Sequence, residues 1–417
     1  MIERLVLFGA TGDLAGRFLL PALASLRAAG RLPDGFQVVA VGRRELGDLP
    51  EARQAALRSL AYRQADVADP DAVAAAIGGP DRPVAVYLAL PPRAFPDAVR
   101  ALAAIELAPG SRVALENPFG EDLESAVGLN RLLEDVWGEA AEQRVFRVDH
   151  VLGMATVQNL LAMRLANPNV EAVWSGAHID QVEILWEETL ALEGRAGYYD
   201  HTGALKDVLQ THMLQVLSLL AMEPPVRPGE RELHDRKLEV LRSVRPVDIG
   251  RTRRARYSAG PLAPAYADEA GVDPRRGTET YAAVELELDC ERWAGTRFLL
   301  RAGKALSRRR KMVVVRFRGT AGNELRIGLD GPEDIALQLR GGTPSEPAPL
   351  TLSAPPPASE LPAYGHVLLD VLTGGSELSV SGDEAEQAWR VVTPVLEAWS
   401  AAAVPLGEYP AGSPGPD

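Results

Sequence analysis

Short apolar runs alternate with helical stretches through the first 150 residues. Leu5-Val6-Leu7-Phe8 stops at Gly9, and a helical pattern follows over residues 15–30. A second run, Phe36-Gln37-Val38-Val39-Ala40-Val41, stops at Gly42-Arg43-Arg44, and runs at 84–90, 112–115 and 144–148 repeat the theme. Short apolar runs alternating with helices in this way predict a parallel sheet covered on both faces. After about residue 175 the texture changes. Strand-like runs at 182–186, 281–288, 297–301, 312–317, 325–329 and 335–339 are often separated only by turns, which predicts one antiparallel sheet. Helical patterns near 203–221 and 384–401 interrupt it. Residues 340–363, rich in Pro, Gly and Ser, predict a surface loop, and 409–416 read as a tail. The fold class is therefore α/β followed by α+β: a parallel-sheet domain over 1–150 and a larger, mainly antiparallel domain over 151–417.

Composition narrows the function. With 417 residues, 46% of them apolar and 24% charged, the chain suits a soluble protein of two domains. Its net charge of −13 disfavours a nucleic-acid surface. No apolar run approaches the ~20 residues that span a bilayer. Glu3 and the lack of a basic leader argue against a signal peptide. Cys290 is the only cysteine, so an internal disulfide and a cysteine-based zinc cluster are excluded and a cytoplasmic location is expected. The only lysines are Lys206, Lys237, Lys304 and Lys311, so no lysine ammonium exists before residue 206.

Gly9-Ala10-Thr11-Gly12-Asp13-Leu14-Ala15-Gly16 lies between the first strand and the first helix. Glycines at such a turn let backbone N–H groups approach a pyrophosphate, which the positive helix end also favours. The second strand ends in Arg43-Arg44 and carries no acid until Glu45. Basic residues at that place favour the 2′-phosphate of NADP over the free hydroxyl of NAD.

Several separated segments together resemble glucose-6-phosphate dehydrogenase. They are GATGDLA at 9–15, YLALPP at 87–92, ENPFG at 116–120, RVDHVLG at 147–153, EGRAGYYD at 193–200, KDVLQTHMLQ at 206–215 and RAGK at 301–304. LLDVLTG at 368–374, EAEQAWRVVTPVLEAW at 384–399 and YPAGS at 409–413 complete the set, in the family's order and across nearly the whole chain. The resemblance implies a Rossmann-like NADP-binding domain, an α+β domain with helices over 151–167 and 203–221 lining the active site, and a sheet-mediated homodimer. It implies oxidation of a hexopyranose, glucose 6-phosphate or a related sugar, at C1 to the lactone, with hydride passing to NADP. By residue matching His212 is the general base and Asp149 its partner. Substrate contacts fall to His150, Glu188, Asp207, Lys304, Arg309 and Asn117. Cofactor contacts fall to Gly9, Ala10, Thr11, Gly12, Asp13, Leu14, Arg43, Arg44, Tyr87, Pro91, Glu116 and Asn117. Trp389 and Trp399 read as core packing. No metal, nucleic acid or membrane is implied.

The departures from the family pattern concentrate on the substrate side. Asn117 stands where the family's ExPFG motif carries lysine, Val151 and Met154 stand for the tyrosine and lysine of HYLGK, and Phe18 stands for a lysine of the glycine-loop helix. A charge-assisted hydrogen bond contributes about 1.5–3 kcal/mol, so these losses predict weakened binding of the sugar phosphate. Two alternatives follow: a paralogue that oxidises an unphosphorylated or amino-substituted sugar, and a non-catalytic NADP- or sugar-binding protein. An intact base, partner and cofactor loop argue against the second.

Overall fold

The computed structural model describes residues 1–416 except Pro50, Ser59, Pro80, Glu193, Arg227, Pro228, Thr320, Ala321, Gly331, Pro332, Glu333 and Pro344. The first residue of the EGRAGYYD segment thus lies outside the described residues. The chain forms two compact units. One comprises Met1–Ala155, Arg227–His234 and Ser359–Glu386; the other comprises Thr156–Val226, Asp235–Ala358 and Gln387–Asp417.

In the first unit, β1 (Arg4–Phe8), β2 (Gln37–Gly42), β3 (Ala61–Gln64), β4 (Ala85–Leu88), β5 (Arg112–Glu116) and β6 (Val145–Val148) form a parallel sheet. Their order is β6-β5-β4-β1-β2-β3, and the short strand Ser379–Val380 adds to β6 antiparallel. β1 sits between β2 and β4, with Leu5 opposite both Val38 and Ala85. Sequential strands that spread outward from β1 on either side make the doubly wound arrangement expected from the alternation of runs and helices.

The helix Ala363–Thr373 belongs to this unit. Tyr364, Val367, Leu368, Val371 and Leu372 recur at the spacing of one helix face, and all five are buried in the core that contains Leu5, Leu7, Leu19 and Leu23. This corrects the expectation of an unbroken second domain over 151–417. The segment 359–386 returns to the first unit because its apolar face finds the helix-covered side of that sheet.

The second unit is built on a nine-stranded sheet. It contains β7 (Ile179–Glu187), β8 (Thr252–Ser258), β9 (Tyr281–Leu286), β10 (Arg297–Gly303), β11 (Arg310–Phe317), β12 (Glu324–Gly328), β13 (Ile335–Thr343), β14 (Glu346–Ala354) and the strand Leu406–Pro410. The order is β14-β13-β12-β11-β7-β10-β9-β8 followed by Leu406–Pro410. Most pairings are antiparallel, but β10 with β7 and Leu406–Pro410 with β8 are parallel.

Two expectations fail here. Residues 340–343 and 346–354 are not loop but belong to the paired strands β13 and β14. Pro347 and Pro349 sit at alternate positions of the sheet's outermost strand, so their missing N–H groups fall on the unpaired edge, where proline is tolerated. The tail is also partly strand: Tyr409 is buried with Tyr257, Tyr281 and Ala411. Trp389 and Trp399 are buried, as expected of core residues. The helix Glu230–Ser243 was not marked by the apolar pattern.

Candidate active site

In the first unit the glycine loop crosses the C-terminal ends of three strands. Gly9 has φ +77°, and a Cβ there would lie 2.1 Å from the Ala89 carbonyl oxygen beyond β4. Only glycine fits. Ala10 N–H donates to the Val41 carbonyl of β2 at 3.0 Å, and Gly12 N–H closes the turn onto Gly9 at 2.9 Å. A Cβ at Gly42 would meet Thr11 Cγ2 at 2.7 Å. The loop therefore lies against the sheet with no room for side chains beneath it, and Gly12 and Asp13 face outward before the helical turn Ala15–Leu19. This cradle fits a dinucleotide pyrophosphate. Arg43 and Arg44 follow β2 with exposed side chains. Their carbonyls accept hydrogen bonds from Gln64 Nε2, at 3.0 Å, and from the Tyr62 hydroxyl, which fixes the backbone and leaves both guanidinium groups turned to solvent.

Pro91 is exposed, but Tyr87, expected along the cofactor, is fully buried. Its hydroxyl donates to Glu116 Oε2 at 2.5 Å, and the Tyr364 hydroxyl donates to Oε1 of the same buried carboxylate at 2.7 Å. Burial, reinforced by Glu116, pushes both phenols above their ordinary range, so both remain donors. Tyr87 thus acts from beneath, by holding Glu116. Asn117 N–H donates to the Val148 carbonyl at 3.1 Å, and its buried Nδ2 has no partner among the described residues. A buried donor left unmade costs about 1–3 kcal/mol, so this amide is suited to a ligand oxygen.

Asp149 follows β6 and is fully buried. Its Oδ1 accepts the Val151 N–H at 3.0 Å and caps the turn His150–Gly153. His150 stacks on Tyr364 with centroids 5.3 Å apart. Of the substituted positions, Val151 is fully buried, while Phe18 is 46% exposed and lies 5.7 Å from the Tyr364 ring.

In the second unit Asp207 and His212 both lie on a π-helical segment, Leu205–Met213. Its i→i+5 bonding places residues five apart on successive turns, so these two side chains project to one side. The segment begins where Gly203, at φ +69°, breaks the preceding helix. A Cβ on Gly203 would lie 2.5 Å from Glu279 Oε1, and that same oxygen accepts the Leu205 N–H at 3.0 Å. Glu279 is buried, and burial pushes its carboxyl up to about 7 against the opposing pull of backbone hydrogen bonds, Arg254 and Lys206. His212 stacks on Trp186 with centroids 5.8 Å apart.

Glu188 sits just beyond β7. Its N–H donates to the Gly303 carbonyl at 2.8 Å, which sets it beside Lys304. Lys304 Nζ donates to Glu188 Oε2 at 2.8 Å and Lys311 Nζ to Oε1 at 2.9 Å. Burial alone would raise this carboxyl, but the two ammonium groups dominate and bring it down to about 2. The Tyr409 hydroxyl donates to the Lys304 carbonyl at 2.7 Å, so the C-terminal strand supports the RAGK turn.

The structure thus joins Glu188 with Lys304 and carries Asp207 and His212 on one π-helical segment. Arg309 is 38% exposed and pairs with Asp330. Lys311, the last of the four adjacent cations at 308–311, takes the inward place. Strand alternation was the available signal, because the β11 register sets Arg310 opposite Glu187 and Lys311 opposite Trp186. Tyr364, Trp186 and Glu279 were also missed; each acts through a contact remote in sequence.

The comparisons agree with this architecture. The family descriptions "Glucose-6-phosphate dehydrogenase, NAD binding domain" and "Glucose-6-phosphate dehydrogenase, C-terminal domain" match residues 6–77 and 54–159, and residues 161–417, respectively. The chain is 35% identical to a glucose-6-phosphate 1-dehydrogenase of Gluconobacter oxydans, over 99% of its own length and 94% of the relative's. It is 34% identical to that of Zymomonas mobilis, over 100% and 96%. A solved glucose-6-phosphate dehydrogenase in complex with glucose 6-phosphate superposes with a TM-score of 0.89 at 29% identity, covering 100% of this chain and 96% of that one. The enzyme from Mycobacterium avium gives 0.86 at 32%, with the same coverage. With both family descriptions matched in order, full-length relatives above 30% identity and a glycine-loop unit joined to a unit carrying the Glu188–Lys304 pair, the chain belongs to the glucose-6-phosphate dehydrogenase family.

Proposed function

We propose that the chain is an NADP-dependent glucose-6-phosphate 1-dehydrogenase that oxidises the C1 hydroxyl of the pyranose to the lactone. The observation that carries this reading is Glu188, a carboxylate held ionised between two lysines in the unit that also presents Asp207 and His212. An ionised carboxylate accepts directed hydrogen bonds from sugar hydroxyls, and Asp207 supplies a second one. His212 removes the C1 hydroxyl proton, while the Asp149 carboxylate orients the imidazole and stabilises its charged form. His150 and the Asn117 amide bind the substrate oxygens left without the family's lysines. Bound NADP supplies the hydride acceptor. The glycine loop holds its pyrophosphate, and Arg43 and Arg44 select its 2′-phosphate.

The proposed enzyme is a cytoplasmic homodimer joined through the sheet of the second unit. Cross-strand leucine pairs on one face of the β13–β14 hairpin, Leu337–Leu352 and Leu339–Leu350, support this, since Leu350 and Leu352 are exposed. Among the described residues no helix is long and apolar enough to cross a membrane. The catalytic reading is tested by incubating the protein with hexoses and hexose phosphates, each with NADP or NAD, and following the absorbance of the reduced nicotinamide. Preference for glucose 6-phosphate with NADP is expected; reduction with no sugar, or only with an unphosphorylated one, would refute the assignment. Light scattering should give the mass of a dimer, and a monomer mass would refute the assembly.

A further inference from the structure

Beyond helping to hold Glu188 ionised, nothing in the activity just described gives Lys311 a task, yet it is the more enclosed of the two lysines on Glu188, its side chain being 12% exposed against 17% for Lys304. We propose that Lys311 is a positioning residue for the C1 oxidation, which fixes at once the Glu188 carboxylate and the Trp186 indole on which His212 stacks. The proposal rests on the reading of the chain as a sugar dehydrogenase with His212 as base.

Three contacts carry it. Lys311 Nζ donates to Glu188 Oε1 at 2.9 Å, whereas Lys304 donates to Oε2 at 2.8 Å. One ammonium on each oxygen prevents the carboxylate from rotating, so Lys304 alone cannot replace the pair. Lys311 Nζ also lies 4.4 Å from the centre of the Trp186 ring, within the range of a cation–π contact. Trp186 in turn stacks on His212 at 5.8 Å. Lys311 therefore touches both a carboxylate proposed to bind sugar hydroxyls and the ring that supports the base.

The sheet explains why this lysine and not its neighbours takes the place. On β11 successive side chains alternate between faces. Arg310 pairs with Glu187, Lys311 falls opposite Trp186, and Arg309 pairs with Asp330 near the surface. An ammonium suits the position because its three donors can serve Glu188 while the charge rests on the indole. Asp330, 3.8 Å away, is the other carboxylate within ion-pair reach among the described residues.

The test compares Lys311→Met, Lys311→Arg and Arg309→Met in the full chain. Measurements are kcat and KM for glucose 6-phosphate, the affinity for glucose as substrate or competitive inhibitor, and the NADP dissociation constant. Misplacing a reacting group by ~1 Å can cost about 10²-fold. Lys311→Met is therefore expected to lower kcat/KM for glucose 6-phosphate by about 10–10²-fold, to weaken glucose by a similar factor, and to leave NADP binding unchanged. Lys311→Arg should recover most of the loss, and Arg309→Met should cost less than Lys311→Met. A loss confined to the phosphorylated sugar would make Lys311 a phosphate ligand and overturn the proposal. So would near-wild-type kinetics in Lys311→Met, or an equal loss in Arg309→Met. If Lys311→Met lowers the melting temperature, Trp186→Phe, which keeps a stacking ring beside His212, must retain more kcat than Trp186→Leu, and equal losses would overturn the proposal. An inactive wild type defeats the functional reading itself, whereas an active wild type with an indifferent Lys311 defeats this inference alone.

Discussion

Replacing Glu279 with glutamine should change how stability depends on pH. This carboxyl is buried beneath Gly203 and caps the helix of His212, and burial raises it from 4.5 to about 7. A raised acid binds its proton more tightly in the folded than in the unfolded state. Its stabilising contribution is therefore complete below about pH 4.5, declines as pH rises towards about 7, and is absent above that. At 1.36 kcal/mol per unit, the wild type loses about 3 kcal/mol across this window through Glu279. The groups that face it are Arg254, Lys206, Tyr199 and Tyr266, and the two cations already moderate the rise. Glu279→Gln keeps a carbonyl acceptor for the Leu205 N–H and cannot ionise. Urea unfolding of both proteins between about pH 4.5 and about pH 8 should show the variant gaining about 3 kcal/mol on the wild type as pH rises. Parallel pH profiles, or a variant that loses ground with rising pH, would refute the reasoning.

Other outcomes follow from the same geometry. Arg43→Ala should raise the NADP dissociation constant and leave that of NAD nearly unchanged, as measured by fluorescence titration; equal weakening of both would exclude a 2′-phosphate contact. Met154→Lys restores a family cation and should lower the KM for glucose 6-phosphate by about tenfold, in line with one charge-assisted hydrogen bond. An unchanged KM would mean that the phosphate is held elsewhere.

Local chemistry was legible in the sequence. The runs ending at Phe8 and Val41, the turn at Gly9 and the arginines after Gly42 are signals carried by neighbouring residues, and the structure places them as the pattern implies. The helix Ala363–Thr373 shows its apolar face at the right spacing, but no local feature reveals that the face returns to the first unit. Pro347 and Pro349 made β14 read as loop, because a proline pattern cannot tell an edge strand from a connection. The same distinction governs the site. Glu188, Lys304, Asp207 and His212 stand in segments with a family likeness, whereas Lys311 was hidden among four adjacent cations and is singled out only by its register against Trp186. Glu279 and Tyr364 were invisible for the same reason: each is defined by a partner far away in the chain.

The central claim is that His212 is the base of a sugar dehydrogenation. Its most direct test is the steady-state turnover of His212→Asn with glucose 6-phosphate and NADP, measured beside the NADP affinity of the same variant. Removal of a general base typically lowers the rate by about 10²–10⁴-fold, and that loss is predicted in kcat with the NADP dissociation constant unchanged. Turnover close to that of the wild type would contradict the account.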